Sequence, residues 1–112
     1  MKMYKSQVEI QESVDKLITC RLTKEERLSI PIKFLRKVGL GAGDNVYLLP
    51  VVNPTGIEIL DYNIISGQKA YLISTDGRLR LSLKTLQAHN LEGDTFNIGL
   101  TENRNSIIIE KG

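Results

Sequence analysis

The sequence contains two copies of one pattern, and this internal repeat constrains the fold more than any other feature. Residues 20–40 and 71–91 align at an offset of 51, and five of these 21 positions are identical. The identical pairs are Arg27/Arg78, Leu28/Leu79, Lys33/Lys84, Leu35/Leu86 and Leu40/Leu91. The first copy then has one extra residue, so the offset becomes 50 where its Gly-Asp turn meets that of the second copy. A repeat of fixed period predicts one supersecondary unit that occurs twice.

Each copy contains a run of alternating polar and apolar residues, which is predicted to form the second strand of the copy. The alternating residues are Arg27, Leu28, Ser29 and Ile30 in the first copy and Arg78, Leu79, Arg80 and Leu81 in the second. A period of two residues predicts a strand, here with its apolar side inward and its basic side outward.

A short helix is predicted after this strand in both copies. Pro31 occupies a position where a first-turn proline is tolerated, and Ser82 occupies the position of a capping hydroxyl. Gly39 and Asn90 follow the helices. These two residue types accept the left-handed conformation at a helix C-terminus, so they predict where each helix ends.

A hairpin is predicted after the Gly-Asp turn of each copy. Its alternating apolar residues are Val46, Leu48, Ile57 and Ile59 in the first copy and Phe96, Ile98, Leu100, Ile107 and Ile109 in the second. Polar loops over residues 50–56 and 101–106 connect the two strands. Each copy therefore reads as strand, strand, short helix, strand, strand.

The two copies are expected to form a single domain, because a unit of about 40 residues cannot enclose a core alone. We divide the chain into an N-terminal arm (1–19), repeat one (20–60), a linker (61–70) and repeat two (71–110). The arm reads either as a strand that pairs with another subunit or as a disordered tail. The predicted fold class is mostly β: a pseudo-two-fold barrel built from the two repeats, each with one short helix.

The composition excludes several classes of protein. Hydrophobic residues make up 41% of the chain and charged residues 25%, which is typical of a globular protein and not of a disordered one. Apolar runs are too short to span a bilayer, so no membrane association is predicted. Cys20 is the single cysteine, and the N-terminus lacks a signal-peptide core, so we expect a cytoplasmic protein.

The landmarks of the first copy resemble a known family. The run Arg27-Leu-Ser-Ile-Pro-Ile, the basic helix, Val38-Gly-Leu40 and then Gly43-Asp44 resemble the AbrB/SpoVT/MazE-type swapped-hairpin domain. The second copy keeps the family's Gly before its Arg, at Gly77, where the first has Glu26. Two copies in one chain also resemble the MraZ arrangement. The resemblance implies a swapped-hairpin barrel that binds DNA as a transcription regulator or as an antitoxin.

DNA binding requires cations fixed on one rigid face, because phosphate contacts dominate affinity. We expect the strand arginines to reach bases or the groove floor and the helix cations to hold phosphates. The candidate DNA-binding residues are Arg21, Lys24, Arg27, Lys33, Arg36, Lys37, Arg78, Arg80 and Lys84. The positive charge is concentrated in repeat one, which has six basic and four acidic residues, whereas repeat two has four basic and five acidic residues.

The sequence predicts a sequence-specific transcription regulator, with double-stranded DNA as its partner. The alternative is an antitoxin or another protein-interaction module. A toxin is therefore a less favoured partner than DNA. A homo-oligomer, a dimer or larger, is left open. No catalytic residue, metal site or cofactor is predicted, since His89 reads as a packing or capping residue and Cys20 as a core-facing one.

Overall fold

The computed structural model describes residues 8–9, 14–52, 55–62, 69–101 and 105–112. These residues are mostly β, with two short α-helices. The strands are β1 (Val8–Glu9), β2 (Val14–Arg21), β3 (Arg27–Pro31), β4 (Asn45–Val52), β5 (Gly56–Asp61), β6 (Tyr71–Leu72), β7 (Arg78–Ser82), β8 (Thr95–Thr101) and β9 (Ser106–Lys111). The helices are α1 (Ile32–Leu35), which continues into a 3-10 turn (Arg36–Val38), and α2 (Leu83–Ala88).

Seven of the described strands form one sheet. Its order is β1-β4-β5-β9-β8-β2. In addition, β6 pairs with the first two residues of β4, whereas β1 pairs with the last two. All of these pairs are antiparallel except the one between β1 and β4. At the centre of the sheet β5 pairs with β9, so this pair joins the first half of the chain to the second.

The remaining two strands, β3 and β7, form a separate antiparallel ribbon. Its inward side chains belong to the same core as the apolar residues of the large sheet and of both helices. The fully buried members of this core include Leu28, Ile30 and Leu79 from the ribbon and Ile57 and Ile107 from the sheet. The ribbon therefore covers the apolar face of the sheet and leaves its own polar face outward.

The closed barrel expected from the sequence is not formed. In the described part of the chain, the end strands β1 and β2 do not pair with each other. The physical reason is that β3 and β7 satisfy their backbone groups on each other as a ribbon and do not join the sheet.

The predicted helix boundaries agree with the structure. Ser82 is the N-cap of α2, and its hydroxyl accepts a hydrogen bond from the backbone N–H of Thr85 at 3.2 Å. Pro31 precedes α1 in an extended conformation. Gly39 and Asn90 have φ values of 83° and 69°, the left-handed conformation expected of both residue types.

The same backbone hydrogen bonds recur in the two halves at the spacing found in the sequence. Leu22 N–H donates to Asp94 O, and Ile73 N–H, 51 residues later, donates to Asp44 O, both at 2.9 Å. Leu40 N–H donates to Leu35 O, and Leu91 N–H donates to Leu86 O. The local backbone geometry therefore follows the sequence offset.

The N-terminal segment differs from its expected boundary. β2 begins at Val14 and pairs with β8 of the same chain, so residues 14–19 belong to the sheet and not to an arm. The reason is burial, because Leu17, Ile18 and Cys20 pack against the core. Residues 1–7 and 10–13 of the predicted arm and residues 63–68 of the predicted linker lie outside the described residues.

Candidate nucleic-acid interface

The outer face of the β3–β7 ribbon carries three of the nine predicted DNA-binding residues. In the ribbon register, Arg27 faces Ser82, Ser29 faces Arg80, and Pro31 faces Arg78. These six residues alternate with the buried Leu28, Ile30, Leu79 and Leu81. The two-residue period therefore places all three arginines on the outward side of one rigid element.

The three arginines line an open concavity of about 320 Å³. Thr23, Glu25 and Ser29 complete its lining. Arg27 and Arg78 lie two residues to either side of the central Ser29–Arg80 pair, one on each strand. They are therefore about 13 Å apart along the ribbon, given the rise of a strand. A strand from each half of the chain is needed to form this surface.

Arg80 is held by an acidic side chain. Its guanidinium forms a two-pronged ion pair with the carboxylate of Asp76, and Arg80 Nη1 also lies 3.5 Å from Ser74 Oγ. The hydrogen bond from Arg80 lowers the pKa of Asp76 below its ordinary value, and Asp76 in turn raises the pKa of Arg80. Both shifts of pKa favour the charged forms of the two groups.

The other two arginines are less engaged. Arg78 Nη1 donates one hydrogen bond to Ser29 Oγ, at 3.1 Å. Among the described residues, the guanidinium of Arg27 has no hydrogen-bond or ion-pair partner. Most of the donors of Arg78 and all of those of Arg27 thus remain available to an anionic ligand.

Two equivalent turns position these side chains. In the first, Glu26 N–H donates to Thr23 O at 2.9 Å, and Thr23 N–H donates to Arg27 O at 2.8 Å. The Ser74–Gly77 turn repeats both bonds before Arg78. Gly77 has a φ of 82° and Glu26 a φ of 59°, so the same left-handed position is filled once by glycine and once by a residue with a side chain.

The other six predicted residues are exposed but do not line the concavity. Arg21 ends β2, and Lys24 lies in the first turn. Lys33 lies on α1, with its ammonium 5.2 Å from the centre of the Phe34 ring. The remaining positions are Arg36 and Lys37 in the 3-10 turn and Lys84 on α2. The two helices follow opposite ends of the ribbon, because its strands are antiparallel.

Sequence reasoning missed two members of this site. Ser29 and the Asp76–Arg80 pair were not predicted as interacting groups. Both depend on which residues the turn and the cross-strand register bring together. The four-residue spacing of Asp76 and Arg80 across a Gly-containing turn was the available signal.

His89 and Cys20 both contact other residues of the fold. His89 Nδ1 lies 2.7 Å from Thr85 O, and its ring meets the edge of Tyr71 at a centroid distance of 6.4 Å. Cys20 is half-buried, and burial raises the pKa of its thiol while the charge of Arg78 offsets part of that rise. In the described ranges, no three His, Cys, Asp or Glu side chains converge as a metal-binding group. None of the described helices has the length and apolar character needed to cross a bilayer.

Comparison with protein-family models, with curated proteins and with solved structures finds no match to this chain. The function must therefore be argued from the arginine-lined ribbon and its surroundings.

Proposed function

We propose that the protein is a sequence-specific, DNA-binding transcription regulator of the AbrB type, acting in the cytoplasm. The observation that carries this proposal is the outward face of the β3–β7 ribbon, where Arg27, Arg78 and Arg80 line one concavity. Clustered arginines on a rigid element provide both charge for phosphates and forked donors for guanine edges.

The strand pairing supports a swapped-hairpin architecture for this regulator. The ribbon pairs β3 with β7, and the sheet pairs β5 with β9, so both pairs join opposite halves of the chain. The central pairs, Ser29–Arg80 and Glu58–Ile108, join residues separated by the repeat offsets of 51 and 50. An approximate two-fold axis through these two pairs relates the halves in the proposed arrangement.

The dimensions of the ribbon suit the major groove of B-DNA. Two strands about 5 Å apart fit a groove about 12 Å wide, as they do in other proteins that read DNA with a β-ribbon. The separation of about 13 Å between Arg27 and Arg78 corresponds to about four base pairs. These two arginines contact bases in the proposed complex.

The helices at the two ends of the ribbon contribute phosphate contacts in this proposal. Arg36 and Lys37 extend from the first helical segment, and Lys84 extends from the second. Exposed cations at both ends of a base-reading element fix its register on the duplex. The more basic first half is expected to make the larger number of these contacts.

The test is DNA binding measured by fluorescence anisotropy, with duplexes from the region upstream of the protein's own gene, over a range of salt concentrations. The logarithm of the affinity should fall linearly with the logarithm of the salt concentration, by about 0.9 for each phosphate contact. A response independent of salt would contradict the proposal and favour the protein-interaction alternative.

Arg27→Ala is predicted to weaken DNA binding and to reduce discrimination between sequences. A forked arginine–guanine contact contributes about 1–3 kcal/mol, so the loss should be roughly five- to 150-fold. Lys69→Ala is the matched control, because it removes one positive charge from an exposed residue that does not line the concavity. Equal losses in the two variants would show that Arg27 contributes charge alone.

A further inference from the structure

We infer that Asp76 is an internal competitor for DNA: its carboxylate holds Arg80, the arginine at the centre of the ribbon register, and lowers the affinity of the surface for DNA. This inference rests on the proposed DNA-binding function and assigns a regulatory element to the same site.

The guanidinium of Arg80 and the carboxylate of Asp76 meet edge to edge. Arg80 Nη1 lies 3.3 Å from Asp76 Oδ1, and Nη2 donates to Oδ2, so the two planar groups meet by two parallel bonds. A phosphate binds a guanidinium through the same fork. A guanine edge uses this fork as well, so Asp76 and DNA compete for the same edge of Arg80.

The Asp76–Arg80 pair is open to solvent. The side chains of Arg80 and Asp76 are 36% and 51% exposed. An ion pair this open to solvent is weak and is screened by salt, so an incoming polyanion can displace the carboxylate. The pair does not block the site but reduces what Arg80 adds to binding.

The two halves of the chain differ at this contact. Glu25 is the residue that corresponds to Asp76 in the first half, and it lines the concavity. The residue that corresponds to Arg80 is Ser29, and Glu25 forms no ion pair among the described residues. Of the two carboxylates, only Asp76 holds an arginine.

The experiment measures anisotropy of a labelled duplex bound by the wild type, Asp76→Asn, Glu25→Gln, Arg80→Ala and the double variant with Asp76→Asn and Arg80→Ala. Asp76→Asn should tighten binding roughly two- to fivefold and steepen the salt dependence, because Arg80 no longer has an internal partner that competes with DNA. Glu25→Gln removes one negative charge from the lining of the concavity but releases no arginine, so it should tighten binding less than Asp76→Asn does.

The role of Arg80 should depend on Asp76. Arg80→Ala should weaken binding less in the wild type, where Asp76 competes for the arginine, than in the Asp76→Asn background, where it should also abolish the gain. Thermal unfolding checks that each variant folds, and Asp76→Ser serves as a second variant if Asp76→Asn does not. Equal effects of Asp76→Asn and Glu25→Gln, or of Arg80→Ala in both backgrounds, would overturn the inference. A wild type without salt-dependent DNA binding would instead refute the proposed function, and the inference would fail with it.

Discussion

Glu26 holds its turn in a conformation that suits glycine better. Its φ is 59°, and the corresponding residue in the other half is Gly77, with a φ of 82°. The left-handed region brings Cβ close to the following carbonyl, which costs roughly 1 kcal/mol for a residue with a side chain. The turn that precedes Arg27 is therefore strained, whereas the turn that precedes Arg78 is not.

Glu26→Gly is predicted to stabilise the protein by about 0.5–1 kcal/mol, because the strain at φ 59° is removed. The free energy of unfolding in urea is the measurement. Glu26→Asn, which also tolerates this conformation, should stabilise in the same direction, but Glu26→Ala should not. If Ala and Gly were equivalent, the gain would come from removing charge.

Glu110 makes stability depend on pH. It is partly buried, and burial raises the pKa of its carboxyl above the ordinary value of 4.5. A carboxyl whose pKa is higher in the folded state is a cost when ionised. The cost is present at pH values above the folded pKa and disappears as the pH falls through that pKa toward the unfolded value.

Glu110→Gln is therefore predicted to stabilise the protein at pH 7, by a few tenths of a kcal/mol after solvent screening is allowed for. The gain should shrink as the pH approaches about 4, where the native carboxyl is protonated. Thermal unfolding across this range is the measurement, and Glu92→Gln, at an exposed position, is the control. A gain independent of pH would exclude ionisation as its cause.

At the scale of elements, the β5–β9 pair depends on a close approach of two backbones. A Cβ placed on Gly56 would lie 2.3 Å from the carbonyl oxygen of Ile109 on the neighbouring strand. The backbone of β9 at Ile109 cannot move away from the added Cβ, whereas the end of a flexible side chain could. Only glycine fits at this first residue of β5 without displacing the central pair of the sheet.

Gly56→Ala is predicted to destabilise the protein by about 2 kcal/mol or more, since the strands must separate or shift. The midpoint of urea unfolding is the measurement. Gly41→Ala is the control, because its added Cβ would meet only Asp44 Oδ2, at an ordinary 3.8 Å. This control should be close to neutral or slightly stabilising. Similar losses at both positions would contradict the packing argument.

The local elements were predictable because each depends on neighbouring residues. The alternation around Leu28 and Leu79 predicts the inward faces of β3 and β7, and Ser82, Gly39 and Asn90 mark the ends of the helices. Burial and backbone preference act within a few residues, so a sequence pattern records them directly.

At the scale of the whole molecule, the sequence was a weaker guide. The barrel prediction was wrong on closure, because nothing in the alternation of β3 and β7 shows whether they join a sheet or pair with each other. The Asp76–Arg80 contact was missed for the same reason, since it depends on the turn and register. Interactions between distant segments are set by competition among pairings, which a local pattern does not record.

The β3–β7 ribbon takes one strand from each half of the chain. During synthesis, Arg27 emerges about fifty residues before Arg78, and until then its strand has no partner. A growing or truncated chain that ends before residue 78 would carry Arg27 but neither Arg78 nor Arg80. The ribbon can therefore assemble only after the second half of the chain has been synthesised.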